Sequence, residues 1–143
     1  MDILYLDNCS FNRPFDDQTQ TKIHLETIAK LQIQKQIING KYELAWSPIL
    51  EFENSENPYT YRRENIIKWK NVAVKSVDGN DNVFRKMQLH IKNGIKPKDA
   101  LHLAFAEYME VDYFITTDKG LLNKSIRGVN VINPIDFINE KGD

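Results

Sequence analysis

The chain is poor in several things, and each shortage removes a class of function. It has one cysteine, Cys9, in 143 residues. That excludes an intrachain disulfide framework and a cysteine-rich zinc site. Its 6 glycines are scattered, with Gly79, Gly94 and Gly120 standing alone, so no glycine-rich phosphate loop exists. ATP or nicotinamide chemistry therefore has no support. No apolar run reaches the roughly 18 residues that cross a bilayer. No basic-then-apolar leader precedes the first strand-like run, so a soluble cytoplasmic protein without membrane attachment is expected. Charge of one sign is lacking too: the net charge is −1. General nucleic-acid coating proteins are usually basic, whereas one acidic pocket can hide inside a near-neutral total.

What is present suits a single domain spanning residues 1–143. Hydrophobic residues make up 41% and charged residues 27%, a globular balance. Ile3 to Leu6 is an apolar run without alternation, as in a strand buried on both faces. Asp7-Asn8 breaks it, and Phe11 to Gln18 reads as a loop. From about Thr19 to Asn39 a helix is expected, closed by Gly40. Leu25, Ile28, Leu31 and Ile38 fall on one side of it, and Ile23, Ala29, Ile33 and Ile37 largely on the other. A helix that apolar is packed on two sides. One side suits the core; the other suits a partner protein, a second copy in a homodimer, or deeper burial within the chain.

Tyr42 to Trp46 is a second strand. Ser47 and Pro48 then open a short helix as N-cap and first residue, carrying Glu51, Glu53 and Glu56. Further helices are expected at Tyr61 to Val72 and Asn80 to Lys92, with a weak strand at Val72 to Val77 between them. Pro97 opens an apolar helix with Asp99 on its first turn. A strand at Tyr113 to Thr116, a helical turn, a strand at Val129 to Ile132 and a closing helix from Pro134 follow. Alternating strands and helices give an α/β fold, a three-layer sandwich with a mostly parallel central sheet flanked by helices.

In such a sheet, sites form at the carboxyl ends of the strands. Asp7 directly follows the first strand, and Asp118 follows the Tyr113–Thr116 strand. The helix before that strand runs antiparallel to it, so its N-terminus, with Asp99, lies on the same edge. Glu53 belongs to the helix just beyond the second strand. Four carboxylates from four segments thus converge, and they raise one another's pKa unless a cation offsets them. Oxygen ligands select Mg²⁺ or Mn²⁺. Taken singly, Asp99 could merely complement its helix dipole and Asp118 could cap a turn. Glu51 and Glu56 compete with Glu53.

Leu6-Asp7-Asn8, Ser47 to Pro58 with Glu53-Asn54, Asp99-Ala-Leu-His-Leu-Ala and Thr116-Thr-Asp118 follow one another in the order of a PIN domain. The chain resembles that family over essentially its whole length. The resemblance implies a divalent-metal-dependent endoribonuclease, akin to the VapC-type toxins of toxin–antitoxin systems, with RNA as substrate and an antitoxin protein as partner. It carries the family's acidic positions onto Asp7, Glu53, Asp99 and Asp118, with Asp7, Asp99 and Asp118 as metal ligands. It places Asn8 and Thr116, or else Thr117, as supporting groups. The segment from Asn8 to Asp17 departs from the usual toxin beginning and marks an atypical subgroup. The alternative is a non-catalytic PIN-like module that binds RNA or protein.

Other residues flank this set. Arg13, Lys98 and Lys119 are candidates for holding RNA phosphates. Arg62 and Arg63, with Tyr59 and Tyr61, offer a second RNA contact or a solvated helix face. His102 reads as a core histidine rather than a contact to the acids, and Cys9 as buried. A phosphorelay receiver is disfavoured because Asn8 and Cys9, not a second acid, follow Asp7. A haloacid-dehalogenase-like phosphotransferase is disfavoured because Cys9 replaces the second acid of its motif.

Overall fold

The computed structural model describes residues 1–142. Its element order begins with β1 (Ile3–Leu6), α1 (Asn8–Asn12), a 3-10 turn (Arg13–Phe15), α2 (Thr21–Ile38) and β2 (Glu43–Trp46). Then come α3 (Pro48–Ser55), α4 (Thr60–Val72), β3 (Lys75–Ser76), α5 (Asp81–Lys92) and α6 (Pro97–Tyr108). The chain closes through β4 (Tyr113–Ile115), α7 (Lys119–Leu122), β5 (Val131–Ile132) and α8 (Pro134–Lys141).

The five strands form one all-parallel sheet in the order β3-β2-β1-β4-β5. Leu4, Tyr5 and Leu6 pair with Tyr113, Phe114 and Ile115. Leu4, Tyr5, Leu6, Phe114 and Ile115 are fully buried, as unalternating strands in a helix-covered sheet must be. From β1 the chain builds outward to β2 and β3, then crosses back to lay β4 on the other side of β1. The winding direction therefore reverses between β1 and β4. A crevice opens at the carboxyl ends of the strands at such a reversal.

The expected loop after Asp7 is largely helical. Asp7 is itself the N-cap of α1, its carboxylate accepting from the Ser10 amide, so the chain turns into helix directly off the strand. The weak strand shrinks to Lys75–Ser76, because Val72 completes the last turn of α4. The final strand likewise shortens to Val131–Ile132. Ser47 and Pro48 open α3 as cap and first residue, with Ser47 Oγ accepting from the Leu50 amide at 3.3 Å.

Helix α2 buries one apolar side only. Ala29, Ile33 and Ile37 enter the core. Leu25, Ile28, Leu31 and Ile38 remain 49%, 52%, 49% and 60% exposed, so deeper burial within the chain is ruled out for that side. No helix among the described residues is long and apolar enough to cross a membrane.

Candidate active site

Asp7 leaves β1 at the reversal point and is buried, only 4% exposed. Its Oδ1 accepts from the Ser10 amide at 3.0 Å, and its Oδ2 accepts from the Thr116 hydroxyl at 2.5 Å. The same Thr116 oxygen accepts from the Asp118 amide at 3.0 Å. One buried hydroxyl therefore ties the end of β1 to the segment leaving β4. Asp118 caps α7, with its Oδ1 accepting from the Gly120 amide at 3.0 Å.

Burial pushes the Asp7 carboxyl up to about 6, against the hydrogen bonds from Thr116 and Ser10 and the nearby His102. Asp99 sits half-buried in the first turn of α6. Its carboxyl is held above the usual range by burial first, then by Asp118, with Glu53 adding repulsion. Cys9 is exposed rather than buried. Neighbouring atoms still desolvate its thiol, and Asp7, Asp118, Asp99 and Glu53 add repulsion, so it is pushed up to about 12. A thiol so disfavoured as thiolate is a poor nucleophile. Asp7, Glu53, Asp99 and Asp118 thus act electrostatically on one place.

Glu53 reaches this place through a buried polar chain. Its Oε1 is hydrogen-bonded to His102 Nε2. The other ring nitrogen, Nδ1, meets the Tyr5 hydroxyl at 2.6 Å, and that hydroxyl meets Ser47 Oγ at 2.6 Å. His102 is 3% exposed, as a core histidine would be, yet both its nitrogens are engaged and one holds the glutamate. Tyr5 and Ser10 escape sequence reasoning. The only sign of Tyr5 is a polar tip in an otherwise apolar strand, since a buried phenol usually finds a partner. Glu51 lies apart from the acidic group, paired with Lys70 at 2.5 Å and largely solvated. Asn8 follows Asp7 at the start of α1, and its Oδ1 accepts from Asn12 Nδ2 at 3.2 Å.

The flanking cations divide. Lys98 and Lys119 are exposed and have no ion-pair partner among the described residues. Arg13 is committed inward, to Asp16 at 3.0 Å and to the buried Glu26 at 3.2 Å. Arg62 donates to the Phe15 carbonyl at 2.7 Å and stacks on Tyr59, while Arg63 donates to the Asn57 carbonyl at 2.8 Å. Both arginines brace loops, and Tyr59 and Tyr61 stay exposed beside them.

The donor chemistry suits a hard divalent cation. The acids offer oxygen alone, and no lysine or arginine among the described residues is ion-paired with Asp7, Glu53, Asp99 or Asp118. The buried Thr117 hydroxyl beside them has no hydrogen-bond partner. Spacing is another matter: among the described residues no three His, Cys, Asp or Glu side chains are gathered into one coordination sphere.

Solved structures with this architecture include VapBC2 from Rickettsia felis, bound to a DNA fragment from its promoter. The TM-score is 0.55 at 13% identity, over 92% of this chain and 98% of that one. They also include the DNA-bound VapBC of Salmonella typhimurium, at 0.55 and 14%, over 94% and 99%. The fold is PIN-like. No family model and no curated protein matches the sequence. At such identities the likeness is one of fold, and the case for chemistry rests on the acidic edge.

Proposed function

We propose that the acidic edge is the active centre of a divalent-metal-dependent endoribonuclease. The carrying observation is the convergence of Asp7, Glu53, Asp99 and Asp118 at the β1/β4 reversal with no lysine or arginine among the described residues paired to any of them. Such a group is electrostatically expensive, and a bound Mg²⁺ or Mn²⁺ held by Asp7, Asp99 and Asp118 would offset it and polarise a phosphoryl oxygen.

The chain's own residues do the rest. Thr116 and Ser10 fix both oxygens of Asp7, and Thr116 couples that carboxylate to the Asp118 backbone. His102 holds Glu53 Oε1, which leaves Oε2 to take a proton from an attacking water. Tyr5 and Ser47 keep the imidazole in place. Lys98 and Lys119 are exposed and adjoin Asp99 and Asp118 in the chain, suited to phosphates of a bound strand. The resemblance to VapBC assemblies supports a toxin role, with an antitoxin as protein partner.

The test is cleavage of single-stranded RNA with Mn²⁺ or Mg²⁺. Activity should vanish in EDTA and in Asp118→Asn, and full activity in either would refute the proposal. A second reading, a non-catalytic RNA- or protein-binding module, is favoured by the carboxylates' failure to form one coordination sphere and by the exposed apolar side of α2. Calorimetry separates the two, because a module without a working site takes up no Mn²⁺ specifically.

A further inference from the structure

A cavity of about 600 Å³ lies apart from the four acids. It is lined by the end of α5, by Glu107 of α6, and by the segment that follows α7. Nucleotide-sized ligands fit cavities of this scale. Its lining includes three cations, Lys86, Lys124 and Arg127, against one carboxylate, Glu107. Glu107 is occupied by His90 at 3.1 Å and Lys86 at 3.7 Å. Lys124 and Arg127 have no carboxylate partner among the described residues. The apolar part of the wall is Leu89, Ile95 and Ile126.

Gly128 has φ +82°, and a Cβ there would lie 2.7 Å from Glu107 Oε2, so the loop bearing Arg127 packs directly on that carboxylate. Two of the segments that line the cavity run on along the chain into the acid-bearing helices. Ile95 immediately precedes the cap of α6, whose first turn carries Asp99. Lys124 follows α7, the helix that Asp118 caps. The two segments meet, since a Cβ on Gly94 would sit 3.8 Å from Lys124 Nζ.

We infer that this cavity is a subsite for a phosphate-bearing nucleotide of the RNA strand, beside the nucleotide whose bond is cleaved. Lys124 and Arg127 take the phosphate, and Leu89, Ile95 and Ile126 pack against sugar or base. The inference rests on the ribonuclease reading for its choice of strand, but its test does not require cleavage. A fluorescently labelled single-stranded RNA of about twelve nucleotides is titrated by anisotropy into Asp118→Asn protein over a range of salt. Lys124→Ala/Arg127→Ala in that background should weaken binding about tenfold or more. The salt slope should flatten by about 0.7, the value for one single-strand phosphate no longer neutralised. Lys22→Ala/Lys35→Ala, which removes equal charge from the exposed face of α2, serves as the control. Equal losses in the two double variants, or none in either, overturn the subsite. Displacement of the RNA by micromolar mononucleotide overturns the strand and assigns the cavity to a free nucleotide. Wild-type cleavage is measured separately. Binding that depends on Lys124 and Arg127 without cleavage sinks the ribonuclease reading alone. Cleavage with binding indifferent to both sinks the subsite alone.

Discussion

Two carboxylates in this molecule are almost equally hidden, and they serve opposite ends. Glu26 on α2 is 1% exposed, and Asp7 at the end of β1 is 4% exposed. Glu26 has a cation and an amide: Arg13 Nε at 3.2 Å and Asn133 Nδ2 at 2.6 Å. Asp7 is hydrogen-bonded to a hydroxyl and a backbone amide, with no lysine or arginine paired to it among the described residues, His102 nearby and other acids in the neighbourhood. A buried charge answered by an opposite charge is a strut. One left to neutral donors among like charges keeps capacity for a ligand that brings positive charge with it. Burial alone does not tell a site from a brace; the partners do.

The sharpest way to break the comparison is at the acidic edge. Asp118→Asn removes a charge and keeps the shape, including the acceptor for the Gly120 amide. RNA cleavage should fall by about a thousandfold or more, as losses of charge-stabilising groups do, while the melting temperature stays level or rises. A drop in stability with cleavage intact would make Asp118 a cap and nothing more.

The strut should behave the other way. Glu26→Ala leaves the half-buried Arg13 guanidinium with Asp16 alone and removes the acceptor of Asn133 Nδ2. The loss should be about 3 kcal/mol of folding stability, in the range for breaking one side of a buried pair. Urea denaturation reads it directly. Metal-supported cleavage per folded molecule should survive.

Lys30 carries the comparison to the opposite charge. It is buried on α2 with no carboxylate partner among the described residues, facing the Phe11 ring at 5.4 Å, and burial lowers its amine to about 7. The unfolded chain takes up a proton below about 10.4, so between there and 7 the unfolded state binds more protons than the folded one. The destabilisation is full below pH 7 and gone above about 10.4. Lys30→Met should therefore gain about 2 kcal/mol near neutral pH, less than the full shift implies because the ammonium–ring attraction goes as well. The gain should shrink in denaturation curves recorded at pH 10. A gain that ignores pH would mean packing, not charge, is at issue.

How much of this is legible in the chain differs by region, for physical reasons. The β1 and β4 runs are legible because burial on both faces leaves an unbroken apolar stretch, and crossover geometry then puts the start of α6 on the same edge as their ends. Helix α1 is not, because Asp7 looks like the end of a strand, while the same residue caps the next helix. The strand Lys75–Ser76 carries no pattern, since two residues cannot show alternation. His102 and Tyr5 meet only in three dimensions, 97 residues apart, and nothing local distinguishes a histidine that holds Glu53 from one that fills space. The cavity around Glu107 is invisible for the same reason: its cations come from α5 and from the segment after α7, and only packing joins them.

The smallest effect tests whether Asp7 is held at a cost. Its carboxyl titrates near 6 in the fold and near 3.9 in the unfolded chain. Between those values the folded state binds the extra proton, so this group's contribution to stability is fully present below about pH 4 and is lost as pH rises through 6. Above pH 6 the charged, buried Asp7 weighs against folding. Asp7→Asn abolishes the titration and keeps an acceptor for the Ser10 amide, but it loses the charge assistance of the Thr116 bond. The variant should be more stable than the wild type by about 1 kcal/mol at pH 8, below the roughly 3 kcal/mol that the full shift would give. The difference should fall away by pH 4. Mn²⁺ at pH 8 should close the gap from the other side, raising the wild-type midpoint and leaving Asp7→Asn where it was. If the two proteins differ by the same amount at both pH values, and Mn²⁺ moves both or neither, then Asp7 is an ordinary helix cap and the contrast with Glu26 fails.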